Sequence, residues 1–127
     1  MGATLSAAGL TPKQIGHVNA DGLGTQAADR AEAAAIRRVL GDVPVTAPKS
    51  YFGLLGAGTG AVELAASLLA LEAGQLPPTL NLDHPDPACP INIVTQAGIT
   101  SAAGTALVVN QTCMGQAVAV LIAGPDA

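Results

Sequence analysis

One stretch limits this chain more than any other. Lys49 to Gly74, KSYFGLLGAGTGAVELAASLLALEAG, begins with a lysine and a short turn, and from Gly53 to Leu71 carries a single charge, Glu63. Read as one helix at roughly 1.5 Å per residue it is about 30 Å long, the width of a small domain. Leu54 to Leu71 reaches the lower limit for a membrane span, about 18 apolar residues. That reading is rejected: Gly56, Gly58 and Gly60 each disfavour a lone helix by about 1 kcal/mol relative to Ala, and Glu63 and the Pro77–Pro78 stop point to a core. Small residues at Gly53, Gly56/Ala57 and Gly60/Ala61 recur at helical spacing and let another backbone approach. A helix apolar all round belongs inside a protein core, so the expectation is a buried central helix.

The rest of the chain has little with which to keep a surface wet. Of its 127 residues, 50% are hydrophobic and 11% charged, against roughly 25% charged in an ordinary globular chain. Either other protein covers much of the surface, as a missing portion of the same fold or a partner subunit, or an alanine-rich bias inflates the count. The net charge of −4, with no basic cluster, argues against nucleic-acid binding. One Phe, one Tyr and no Trp leave no stacking platform for bases. Cys89 and Cys113 lie far apart without metal-ligand spacing; they suggest reduced thiols in a cytoplasmic setting, with a disulfide left open. The N-terminus has no basic region followed by an apolar core, hence no signal peptide.

In chain order, residues 1–10 read as the end of a helix closed by Gly9 and Thr11-Pro12, an odd place for a domain to start and a hint of an upstream portion. Ile15 to Ala20 reads as a short buried strand ending in the turn Asp21 to Thr25. Residues 26–40 make an amphipathic helix, with Ala27, Ala31, Ala34, Ala35 and Ile36 near one face, Asp29, Arg30, Arg37 and Arg38 on the other, and Gly41 as its stop. Val43 to Thr46 is a short strand. After the central helix, Gly74 is a C-cap, and PPTLNLDHPDP is a stiff surface or interface loop. Ile91 to Val94 is a further short strand candidate. Thr105 to Asn110 and Ala117 to Ala123 form an antiparallel pair around the turn Gln111 to Gly115. Alternation of strands and helices implies an α/β layered sheet; the closing pair makes it mixed, and the apolar strands imply cover on both faces.

Four ordered segments carry a family resemblance: VNADGLGT with QAADRAEAAAI, TAPKS with YFGLLGAGTGAVE, LPPTLNLDHPDP, and NQTCMGQAVAVLI. Together, from about Ala8 to Leu121, they resemble the C-terminal half of β-ketoacyl-acyl-carrier-protein synthases, of the thiolase fold. The resemblance implies that residues 1–127 are one ketosynthase C-terminal-like domain lacking an upstream N-terminal half, where the family's nucleophilic cysteine resides. In catalytic members the first motif is Val-Asn-Ala-His-Gly-Thr-x-Thr; here Val18, Asn19, Ala20, Gly22 and Thr25 match and Asp21 replaces the histidine. Asp29 and Glu32 match the Asp-x-x-Glu that follows. Of Lys-Ser-x-x-Gly-His, Lys49, Ser50 and Gly53 match, and Leu54 stands at the second histidine. Of the last motif, Asn-Ser-Phe-Gly-Phe-Gly-Gly, Asn110 and Gly115 remain, with Cys113 and Met114 in place of the Gly-Phe. Lys49 and Glu63 match a family pair that forms an internal ion pair, here a structural bridge.

The family condenses a cysteine-bound acyl group with a decarboxylating malonyl thioester, and its two histidines donate hydrogen bonds to the thioester oxygen. By analogy with oxyanion holes, one such donor is worth about 2.7–4 kcal/mol of barrier. Leu54 has no polar atom, and an ionised Asp21 repels an enolate oxygen. A protonated Asp21 donates one bond only after a large upward pKa shift; the simpler reading of Asp21-Gly22 is a turn. His17, His84 and Cys89 match no catalytic position, and Cys113 reads as packing. Ala20-Asp21, Asp29-Arg30-Ala31-Glu32-Ala33 and Val43 to Lys49 resemble the chain length factors that pair with ketosynthases in aromatic polyketide systems.

Three readings follow. The first is a catalytically degenerate protein of fatty-acid or polyketide synthesis, pairing with an active ketosynthase, as a homodimer, or with an N-terminal half, near acyl carrier protein. The second is a divergent 3-oxoacyl-acyl-carrier-protein synthase, active once joined to the cysteine-bearing half. The third is an interaction module of thiolase fold with no lipid role. None implies a cofactor, a metal or a membrane span.

Overall fold

A computed structural model describes residues 1–101, 103–112 and 114–124. The chain runs α1 (Gly2–Ala8), β1 (His17–Asn19), α2 (Gln26–Leu40), β2 (Pro44–Thr46), α3 (Lys49–Phe52), α4 (Thr59–Ala73), β3 (Asn92–Ile93), β4 (Thr105–Gln111) and β5 (Ala117–Ala123). The strands form one mixed sheet in the order β3-β2-β1-β4-β5. The first three pairings are parallel; β5 alone runs antiparallel, with Leu107 opposite Leu121 and Asn110 opposite Val118.

The two-residue strand period sorts side chains onto two faces. Val18, Val45, Leu107 and Val109 join Leu5 of α1 and Ile36 and Leu40 of α2 in the apolar core. Opposite them, Asn19 faces α4, donating its amide to the Glu63 carbonyl at 3.0 Å and to Ser67 Oγ at 2.8 Å. Helices thus lie on both faces of the sheet.

The expectation of one long, wholly buried central helix is corrected in two ways. First, the stretch is broken. Gly53 sits at φ +73° and Gly56 at φ +58°, left-handed values that other residues avoid and that cannot continue a right-handed helix. A 3₁₀ turn over Gly56–Gly58 then leads into a helix of 15 residues. Second, the buried stripe of α4 is Thr59, Glu63, Ser67 and Ala70, while Val62, Leu68 and Leu69 are exposed, Leu69 at 64%. Its apolar sides face outward, the reverse of an ordinary surface helix. Among the described residues, no helix is long and apolar enough to cross a membrane.

Candidate functional site

The site forms where β1 and β2 end, the edge at which open α/β sheets gather functional side chains. Parallel pairing sets Asn19 beside Thr46, so the residues just after each strand, Asp21 and Lys49, emerge side by side. α2 fixes the loop after β1: Glu32 accepts the N–H groups of Asp21 at 2.8 Å and Gly22 at 3.0 Å. Burial pushes the Glu32 carboxyl upward, and those two backbone bonds oppose the shift. Asp29 accepts the Gly24 N–H at 3.2 Å.

Lys49, 7% exposed, is enclosed by acceptors. Its ammonium donates to the carboxylate and to the backbone carbonyl of Asp21. Glu63 Oε1 lies 3.3 Å from the same nitrogen. That is an ion contact lacking hydrogen-bond alignment. Asn110 donates its amide to Glu63 Oε2 and, at 2.9 Å, to the Val109 carbonyl. Burial raises the Glu63 carboxyl above the ordinary carboxylate range, against the Asn110 bond and the Lys49 charge. Two carboxylates therefore share one ammonium in a buried network that ties the β1 loop, α3, α4 and β4 together.

Of the residues singled out from the sequence, Asp21, Lys49, Glu63 and Asn110 converge. The Asp21 carboxylate meets Lys49 rather than serving its own turn. Leu54 stands apart, 68% exposed just after the Gly53 break. Met114 is 84% exposed, and Gly115 closes the β4–β5 turn by donating its N–H to Thr112 O at 3.0 Å; Cys113 lies outside the described residues. His17 is fully buried on β1, both ring nitrogens without a hydrogen-bond partner among the described residues. The Asp21–Lys49 pair and the double clamp by Glu32 escaped the sequence reading. The available signal was positional: each charge follows a short strand, and those strands pair in parallel.

Residues 1–83 match the family described as Beta-ketoacyl synthase, C-terminal domain. The chain belongs to the β-ketoacyl synthase family. It is 39% identical over 127 residues to the tetracenomycin polyketide synthase ketoacyl synthase alpha subunit of Streptomyces glaucescens, covering 97% of this chain and 30% of that protein. It is 37% identical over 94 residues to 3-oxoacyl-[acyl-carrier-protein] synthase 2 of Synechocystis, covering 71% of this chain and 23% of the relative. Among solved structures, the ishigamide ketosynthase/chain length factor superposes with a TM-score of 0.88 at 31% identity, over 94% of this chain and 30% of that one. A type II PKS acyl-carrier protein in complex with its ketosynthase gives 0.87 at 28%, with the same coverage. The chain spans less than a third of the length of these curated relatives. The family's thiolase-type fold agrees with the mixed sheet, its helical cover and the closing antiparallel pair.

Proposed function

We propose that this chain is the C-terminal domain of a catalytically degenerate ketosynthase-like protein of polyketide or fatty-acid synthesis, working as a chain length factor does. It pairs with an active ketosynthase or with a cysteine-bearing N-terminal half and shapes the acyl pocket there. The observation that carries this reading is the state of the two donor positions. Leu54 offers no polar atom, and the Asp21 carboxylate is an acceptor already engaged by Lys49. A negative oxygen developing beside them meets no free donor, and each missing donor leaves about 2.7–4 kcal/mol of barrier standing. The outward apolar side of α4 supports a covering partner. The ishigamide ketosynthase/chain length factor and the acyl-carrier-protein complex supply the precedent for the type of assembly.

The test is co-expression with a cysteine-bearing half and a ketosynthase, followed by an assay of malonyl-carrier decarboxylation. The expected result is co-purification, with no decarboxylation attributable to this chain's own site. Turnover above background at that site would favour the second reading, a divergent 3-oxoacyl synthase, for which the 39% and 37% identities to synthase subunits speak. Absence of any affinity for acyl chains or carrier protein would leave a non-lipid interaction module.

A further inference from the structure

We propose that residues 81–90 form a strap across a cavity beside the Asp21–Lys49 network, latched by the single ion pair Arg30–Asp86. The proposal is independent of whether the chain is catalytic. The cavity, about 770 Å³, lies between α2 and the β2–β3 edge of the sheet. Val45 and Ile93 line it from the sheet, Ala33 from α2, and Leu82 and Cys89 from the strap. A volume of this size falls in the range of small-molecule sites, about 300–1,000 Å³.

The strap is firmly fixed at its ends and barely held between them. Before it, Thr79 donates its N–H to Val94 O at 2.7 Å, and Leu80 donates its own to Ser50 Oγ at 3.0 Å. After it, β3 pairs with β2. Between these anchors, apart from the adjoining Ile91 N–H donating to Cys89 O at 2.8 Å, Arg30 Nε to Asp86 Oδ2, at 2.9 Å, is the one hydrogen bond from residues 81–90 to the remainder of the fold among the described residues. The others are internal: Ala88 N–H to Asp86 Oδ1 and Cys89 N–H to Asp86 O, both 2.8 Å. Asn81, the first strap residue, has φ +58°, a left-handed conformation that Asn tolerates better than most residues and that turns the chain away from the sheet edge.

The latch is half-exposed, with side chains 48% and 33% accessible, so it is a weak and salt-sensitive clasp. Its loss shifts an opening equilibrium by about two- to five-fold. Cys89, half-buried, lines the cavity and reports the opening. Burial raises its thiol pKa, with Asp86 and Asp29 adding to the rise and Arg30 opposing it.

That opposition makes Arg30→Gln the deciding variant. Removing the Arg30 charge leaves Cys89 more fully protonated, which by itself slows alkylation. Faster alkylation therefore reports an open strap. In the full chain, iodoacetamide labelling at Cys89, followed by peptide mass spectrometry, should run about two- to five-fold faster in Arg30→Gln. Salt at about 0.5 M should accelerate the unsubstituted protein and leave Arg30→Gln unchanged. Labelling of Arg30→Gln at or below the original rate overturns the strap. So does acceleration matched by equal loss of amide protection in β1 and β4, which is global opening.

Discussion

At the residue scale, His17 is the most exacting choice the chain makes. A histidine on the central strand, fully buried and with neither ring nitrogen bonded among the described residues, is held neutral: burial lowers its pKa to about 4 from 6.5. The sign of its effect follows directly. Between pH 4 and 6.5 the unfolded chain binds the proton more readily than the folded one, so stability is complete above the unfolded value and is lost as pH falls towards the folded value. The loss approaches about 3 kcal/mol at pH 4, since one pKa unit is 1.36 kcal/mol. Glu32 and Glu63, whose pKa values are raised, act oppositely: each lowers stability as pH rises above the ordinary carboxylate range. Urea titrations of the His17→Leu variant should therefore lose the acid-side decline and keep the carboxylate one. An unchanged acid limb would mean that His17 finds a partner for its charge in the folded state.

At the element scale, α4 is built around one contact. A Cβ on Gly60 would stand 2.7 Å from Asn110 Oδ1, the side chain whose amide holds Glu63. Gly60→Ala gains about 1 kcal/mol of helix propensity yet displaces Asn110 from a charge-assisted bond worth about 1.5–3 kcal/mol. The net is a destabilisation of about 0.5–2 kcal/mol. In an Asn110→Ala background the clash is gone, and the same substitution should stabilise by up to about 1 kcal/mol. Chemical denaturation of the four proteins of this cycle measures both; a stabilising Gly60→Ala in the original background would contradict the contact. The same helix marks how far sequence reading reached. α2 was legible in its bounds, Gln26 to Leu40 between Thr25 and Gly41, but not in its face: Ala27, Ala31 and Ala34, expected on the apolar side, are exposed, and Glu32, Ala33, Ile36 and Leu40 are buried, because alanine marks neither side of a helix strongly. β4 and β5 were legible as apolar runs separated by a turn. α4 was not, because the glycines that break the stretch read equally as close-packing positions. Its inward stripe is also polar, so counting apolar residues points to the wrong side. Lys49 and Glu63 were named from the family pattern, whereas Asp21 on Lys49 required the parallel register of β1 and β2, which no local pattern encodes.

At the scale of the whole molecule, the scarcity of charge and the outward apolar side of α4 are one fact seen twice. Val62, Leu68 and Leu69 share their exposure with Val118 and Val120 of β5, Val118 at 59%. The β4–β5 register places those two valines on the α4 side of the sheet, opposite Asn110 and Val108. On α4 itself, Val62 and Leu69 lie on the flank beside Tyr51 and Phe52, away from the flank at Gly60 and Leu71 that meets Asn110 and Gly124; isolated exposed residues would need no explanation, but an apolar helix flank does. If a cysteine-bearing half or a ketosynthase subunit covers it, a charge placed there should separate folding from assembly. Leu69 is 64% exposed, and Glu is nearly as good a helix former as Leu, so Leu69→Glu should alter the stability of the isolated chain by no more than about 0.5 kcal/mol. Once covered, the same change forfeits about 1.5–3 kcal/mol of apolar burial and adds the penalty of an unpaired buried carboxylate. Affinity for the covering subunit should fall by at least about 30-fold, the equivalent of roughly 2 kcal/mol. Thermal denaturation of the chain alone, set against titration with the co-expressed half or ketosynthase, reads both quantities. Unchanged affinity would move the interface off this face, and a collapse of the isolated fold would mean that Leu69 is already packed within the chain itself.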